Sequence, residues 1–282
     1  MPEIFEAIIL GIVQGATEFI PVSSSGHLVI VPWLLGWDPP PLVFDTILHW
    51  GTLTAILVVF WRDFWNMTVA ALRSIGSRSL ADPNAKLAWL IVLASIPVMI
   101  IGLTFKDFFE QLFVSEDTAP LVAGLFLFVT AALLIGSELL ARSMAQPRRL
   151  QSLRVSDATI IGLAQAAALF PGISRSGSTI AAGLARKVRR DDAARFSFLM
   201  GAPIFLGAGL LQISEAVTTD GNQLAGHAPA LIAGFLAAAI TGVLAIRFLL
   251  NYLRTRSLYA FAIYCIVVGC IVVGLSMAGY GS

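Results

Sequence analysis

Six stretches of this chain, 42–61, 87–105, 119–140, 193–213, 229–250 and 258–279, are each long and apolar enough to cross a bilayer as a helix, which takes about 20 residues. In hydrocarbon every backbone N–H and C=O must be satisfied within the protein, so only helices and closed barrels span, and runs of this length select helices. Composition agrees: 12% of residues are charged and 57% hydrophobic, against roughly 25% charged in a soluble domain. The expectation is an all-α polytopic membrane protein, a single membrane domain over residues 1–282.

Two further apolar regions do not fit the spanning template. Residues 4–35 and 157–186 each hold a short apolar run, a Pro/Ser/Gly break and a second short run, with breaks reading FIPVSSSGH and FPGISRSGS. This pattern predicts two re-entrant helical hairpins, each returning to the side it entered, because broken backbone at membrane depth survives only inside protein or beside a water-filled cavity. The basic residues set the orientation. Arg62, Arg73, Arg78 and Lys86 lie between the first two spans; Arg142, Arg148, Arg149 and Arg154 follow the third; Arg186, Lys187, Arg189 and Arg190 precede the fourth; Arg254 and Arg256 join the last two. By contrast, 106–118 has one Lys against four acids, and 214–228 has no Lys or Arg. The positive-inside rule puts the basic segments in the cytoplasm, so hairpin 157–186 enters from the cytoplasm and hairpin 4–35 from outside. The N-terminus lacks the basic n-region and cleavage site of a signal peptide. Cys265 and Cys270 are five apart on one apolar stretch, a spacing that does not bring them to disulfide geometry on a helix.

The chain also repeats itself. Gly11, Gln14, Phe19 and Gly26 each match a residue 151 positions later, at Gly162, Gln165, Phe170 and Gly177, and the first and fourth spans keep that offset. Three spans separate the copies, so the halves, approximately 1–141 and 142–282, run in opposite senses. Such an inverted-topology repeat places binding near the midplane, where broken helices meet.

Both hairpin turns carry anion-binding chemistry. Gln14 and Glu18 are four apart and share a helix face. Ser23, Ser24, Ser25, Gly26 and His27 follow and open a second helix, with Ser25 as the expected N-cap. In the other hairpin Ser174, Arg175, Ser176, Gly177, Ser178 and Thr179 open a helix in the same way. Turns meeting in the membrane present N–H groups, hydroxyls and two helix N-termini, an arrangement that attracts phosphate; Arg175 adds a bidentate cation. A lone Arg or Glu at mid-membrane costs at least about 2.5 kcal/mol, which a shared polar site explains, as does a structural Glu18–Arg175 ion pair. Asp45 and His49, four apart near the outer end of the first span, either line an approach to the site or sit in the interfacial layer. Glu138 and Arg142 have the spacing of a helical ion pair. His227 falls in an outer loop, and Trp61, Phe64 and Trp65 read as an interfacial belt.

At these residues the sequence resembles the undecaprenyl-pyrophosphate phosphatases of the bacitracin-resistance type. That family is marked by (E/Q)xxxE, here Gln14 to Glu18, running into PVSSSGH at Pro21 to His27, and by PGxSRSxxT, here Pro171 to Thr179; the stretch from Phe44 to Phe60 is also typical of it. The likeness covers essentially the whole chain, with Gln14 in the amide form of the first motif. The resemblance implies hydrolysis of undecaprenyl diphosphate to undecaprenyl phosphate and inorganic phosphate on the outer, periplasmic side of the bacterial plasma membrane. It also implies recycling of the carrier lipid of peptidoglycan synthesis, bacitracin resistance, and a divalent cation, Mg²⁺ or Ca²⁺.

On that reading Glu18, Ser24, His27 and Arg175 are the catalytic candidates. Ser24 would be the nucleophile with His27 as base or acid, the alternative being direct attack by His27 or by a cation-bound water. Glu18, helped by Gln14, would hold the cation or act as a base. Gln14, Ser23, Ser25, Ser174, Ser176, Gly177 and Thr179 would bind the diphosphate. The expected partners are a polyprenyl diphosphate, bilayer lipids and, as an open option, a second copy in a homodimer, with no nucleic acid. A competing reading from the repeat is a transporter or flippase of a phosphorylated lipid or anion.

Overall fold

The structure is a computed structural model that describes residues 1–105, 118–142 and 146–280, with the backbone alone for 213–225. Residues 106–117 of the expected acidic loop, and the side chains of most of 214–228, lie outside the described residues. Among the described residues the regular structure is helical: eleven α-helices and a 3₁₀ turn at Leu150–Ser152.

Six helices have the length and apolarity to cross a membrane. They are α3 (Leu42–Val59), α5 (Pro83–Thr104), α6 (Ala119–Arg142), α9 (Arg190–Gly226, apolar over Arg190–Gln212), α10 (Ala228–Leu253) and α11 (Tyr259–Met277). Each corresponds to one of the six apolar stretches. Four short helices come as two pairs: α1 (Ile4–Thr17) with α2 (Ser24–Leu35), and α7 (Val155–Ala167) with α8 (Arg175–Ala185). With 14 residues, α1 is about 21 Å long, less than the roughly 30 Å of a hydrocarbon core. Pro21 and Pro171 fall in the breaks, where a missing N–H and a fixed φ stop a helix.

One helix was not expected. Residues 62–86 read as a basic loop, yet α4 (Trp61–Ser77) is a 17-residue helix. It buries Met67, Ala70 and Ser74 and exposes Trp61, Trp65, Leu72 and Ile75 beside its arginines. An amphipathic helix of this kind lies along the interface, and its charges hide it from a search for long apolar runs.

The short helices are held by backbone-to-backbone packing. α1 runs along α10, α7 along α5, and both α2 and α8 touch α6. A Cβ at Gly11 would stand 2.4 Å from the Gly234 carbonyl oxygen, and one at Gly162 would stand 2.4 Å from that of Ala94. Small residues permit such approach where hydrocarbon offers no hydrophobic drive between helices. The core runs through Phe19, Ile56, Leu127, Phe198 and Leu199, while Ile100, Leu103, Ile240, Leu244 and Ile263 point outward.

The basic segments are tied down by carboxylates. Buried Asp157 accepts from Arg148 and Arg186, each at 2.8 Å, and from the Arg154 N–H at 2.9 Å. Glu138 does not take the expected Arg142. It pairs with Arg190 and accepts the Leu258 N–H at 2.9 Å, while Arg142 lies over the Tyr259 ring. The i,i+4 spacing is present, but Glu138 faces inward, where α9 and the start of α11 supply donors. Both cysteines are free, Cys265 buried and Cys270 exposed.

Candidate functional site

The two helix pairs turn in the same way. Ser23 caps α2 by accepting the Gly26 N–H at 3.3 Å, and Ser174 caps α8 by accepting the Gly177 N–H at 3.0 Å. In each turn the capping hydroxyl meets a second serine two residues on, Ser25 at 3.4 Å and Ser176 at 3.2 Å. The cap of α2 is therefore Ser23, not Ser25; Ser23 takes φ 74° and ψ 97°, which starts the helix two residues before the expected position. Such a conformation is costly for a side-chain-bearing residue.

The turns touch each other. A Cβ on Gly26 would lie 3.2 Å from the Gly172 Cα. Gly172 has φ +91°, and a Cβ there would stand 2.6 Å from the Ala123 carbonyl oxygen, so only glycine fits. Thr130 of α6 fastens the second turn, donating to the Gly172 carbonyl at 3.0 Å and accepting the Ser174 N–H at 2.9 Å.

Glu18, the residue after α1, stands where the turns meet. Its Oε1 accepts from Arg175 Nη2 at 2.8 Å. Its Oε2 accepts from Ser24 Oγ at 2.5 Å and from Gln14 Nε2 at 3.0 Å. Arg175 also donates Nη1 to the Ser197 carbonyl at 2.9 Å and stacks 4.7 Å from the Phe205 ring centroid. Gly201 makes that pose fit, since a Cβ there would fall 2.6 Å from Nη1. Two buried polar atoms at this centre, Gln14 Oε1 and Arg175 Nε, have no hydrogen-bond partner. Buried polar atoms are ordinarily satisfied, so an unpaired acceptor and an unpaired cationic donor beside one carboxylate suit a ligand carrying both signs of charge. Thr179 is committed to packing instead, bonding the Arg175 carbonyl at 2.8 Å and Ser197 Oγ at 2.6 Å.

The structure thus brings Gln14, Glu18, Ser24 and Arg175 into one hydrogen-bonded cluster, with Ser23, Ser25, Ser174, Ser176 and Gly177 in the two caps around it. His27, expected as the proton partner of Ser24, is engaged elsewhere. Its Nδ1 lies 2.7 Å from the Ser23 carbonyl and its Nε2 lies 2.8 Å from the Tyr264 hydroxyl. A carbonyl only accepts, so in the neutral ring Nδ1 carries the proton and Tyr264 donates to Nε2. The imidazole that does approach the carboxylate is His49 of α3, whose Nε2 is 3.6 Å from Glu18 Oε2. The sequence offered His49 only an approach route or an interfacial place. Its one usable signal was a position one helical turn after Asp45 on an apolar face.

The family model described as bacitracin resistance protein BacA matches residues 7–271. A relative from Rubrobacter xylanophilus, named undecaprenyl-diphosphatase, is 45% identical over 265 residues, covering 93% of this chain and 94% of its own. Relatives with the same name from Methanosphaera stadtmanae, 44% identical and covering 93% and 94%, and from Desulforudis audaxviator, 42% identical and covering 92% of each chain, are equally extensive matches.

Proposed function

Because the chain belongs to the bacitracin resistance protein BacA family, we propose that it is a membrane phosphatase cleaving undecaprenyl diphosphate to undecaprenyl phosphate and inorganic phosphate. That reaction returns the carrier lipid to cell-wall synthesis and confers bacitracin resistance. The observation that carries the chemistry is the bond from Ser24 Oγ to Glu18 Oε2 at 2.5 Å, on a carboxylate whose other oxygen is held by Arg175 at 2.8 Å. Nucleophile, base and cation are therefore adjacent.

Phosphoryl transfer is mostly positioning and charge stabilisation. Arg175 and the N–H groups at the start of α8 bind the phosphoryl oxygens. Ser24 Oγ attacks the terminal phosphorus and passes its proton to Glu18 Oε2; the anhydride P–O bond breaks with its electron pair leaving on the polyprenyl phosphate. Water then displaces the phosphoryl group from Ser24, which regains the proton from Glu18, while the water's own proton leaves with inorganic phosphate. His27 is a positioning residue that holds the Ser23 carbonyl, and with it the backbone next to Ser24. A divalent cation, Mg²⁺ or Ca²⁺, fits the donors present: Glu18 is a carboxylate, and Gln14 Oε1 is a buried acceptor with no partner. Bound there, it would neutralise diphosphate charge.

In the finer reading the two helix pairs are hairpins entering the plasma membrane from opposite faces, halves of an inverted repeat over about 1–141 and 142–282, with the site open to the outer side. Supporting it are the shared Ser-x-Ser-Gly cap at an offset of 151, the matching tight contacts of Gly11 and Gly162, and the clustering of basic segments. A homodimer is part of the same proposal.

Purified protein in detergent is expected to release phosphate from a polyprenyl diphosphate. Arg175→Ala should lower kcat/KM by about 10³-fold, as for the loss of a charge-stabilising group, and Ser24→Ala by at least as much. Binding or vesicle transport of the lipid with no phosphate released would establish the transporter reading instead.

A further inference from the structure

His49 takes no part in the transfer from the diphosphate to Ser24, yet its geometry is specific. Its Nδ1 lies 2.8 Å from the backbone carbonyl of Asp45. That carbonyl can only accept, so in the neutral ring the proton sits on Nδ1 and Nε2 presents a lone pair. Histidines that hold metal ions are oriented in this way, with the far ring N–H on a carbonyl or carboxylate. Phe205 packs against the ring at 5.5 Å between centroids, limiting its rotation.

The distance to Glu18 points the same way. At 3.6 Å, Nε2 and Oε2 are too far apart for a hydrogen bond. Two ligands of one small divalent ion, with bonds of about 2.1–2.2 Å, stand about 3.0–3.6 Å apart. The Gln14 amide, 3.0 Å from the same oxygen, falls within that range as well, and its unpartnered Oε1 becomes available when the amide turns over. The His49 side chain is 29% exposed and that of Glu18 3%, so the pair lies at an edge that an ion can reach. Among the described residues no three His, Cys, Asp or Glu side chains converge. Glu18 and His49 are two, and Gln14, diphosphate oxygens and water complete a shell of the kind divalent ions form at phosphate sites.

We propose that His49 Nε2 is a direct ligand of the divalent cation together with Glu18 and Gln14, so that the site binds an ion tolerant of nitrogen, such as Mn²⁺, more tightly than Ca²⁺. The inference rests on the cation reading of this site given above. A carboxylate and an amide alone would make an oxygen-only site favouring the hardest ions; an imidazole shifts the preference along the first-row series.

The test is pulsed electron paramagnetic resonance of Mn²⁺ added to the full chain, purified in detergent through a histidine-free tag. The sequence has three histidines, so the double variant His27→Gln/His227→Gln leaves His49 alone. The expected result is a ¹⁴N coupling from directly bound imidazole in wild type and in that double variant, lost in His49→Gln. Affinity for Mn²⁺ should fall at least about tenfold in His49→Gln, with the Ca²⁺ affinity little changed. A wild-type Mn²⁺ signal without nitrogen coupling, as an imidazolium–Glu18 ion pair would leave, overturns the proposal, as does coupling that survives His49→Gln. Phosphate release measured with Mg²⁺ on the same preparation separates the two readings. Turnover without nitrogen coupling removes His49 from the cation and leaves the phosphatase standing; absence of turnover removes the phosphatase itself.

Discussion

Glu18 sits within 3.0 Å of donors from three residues, Gln14, Ser24 and Arg175, and the placement of each is a separate requirement. Arg175 is the most exposed to perturbation because its pose depends on an absence. Gly201→Ala puts a methyl 2.6 Å from Nη1, and the flexible guanidinium rather than the backbone must yield. The expected outcome is a loss of about 10²-fold in kcat/KM for phosphate release, the usual effect of a 1 Å misplacement, with the melting temperature in detergent unchanged. A comparable loss of thermal stability would mean that Gly201 serves helix packing instead. Residues close in sequence were the legible part of this cluster: Gln14 and Glu18 are one helical turn apart, and the serine-rich turns announce helix starts. A Glu18–Arg175 ion pair was also readable, as one way for two charges to offset each other in the membrane. Hidden was His49, which approaches Glu18 from α3, because nothing in a local spacing encodes such a meeting. The shift of the cap from Ser25 to Ser23 was hidden for a different reason, since a positive φ at a non-glycine residue is imposed by the surrounding packing.

Among the elements, the six spans were legible because length and apolarity are one-dimensional properties. α4 was not, because Arg62, Asp63 and Arg73 near its two ends leave too short an apolar run between them to stand out. The partners of the basic segments were equally out of reach: Glu138 has a suitable arginine on its own helix and uses Arg190 instead. Asp157 is the clearest case of an element held by charge, anchoring the start of α7 to Arg148 and Arg186. Burial pushes its carboxyl up, but the hydrogen bonds from Arg148 and Arg186 outweigh it and hold the carboxyl below the ordinary carboxylate range. The folded value lies below the unfolded value of about 4, so the stabilisation is complete above about pH 4 and disappears as pH falls through the depressed folded value. Asp157→Asn should therefore cost about 1–3 kcal/mol at neutral pH. Thermal unfolding in detergent should show a constant gap from wild type between about pH 5 and 7 that closes under more acid conditions. A gap independent of pH down to about pH 3 would exclude the carboxylate as its source.

At the scale of the whole molecule the cluster belongs to neither half of the chain. Glu18 and Ser24 come with α1 and α2, His49 with α3, Arg175 with α8, and Ser197 and Phe205 with α9. Cutting the chain between α6 and α7 should leave two pieces that release no phosphate separately and recover activity when produced together in one membrane. Activity in the amino-terminal piece alone would show Arg175 to be dispensable. The same arrangement governs how the protein is made. Arg175 follows Glu18 by 157 residues, roughly 8–30 s of elongation at ordinary ribosomal speed. Throughout that interval the nascent carboxylate lacks its native partner, and so the segment that leaves the ribosome first is among the last to reach its final environment.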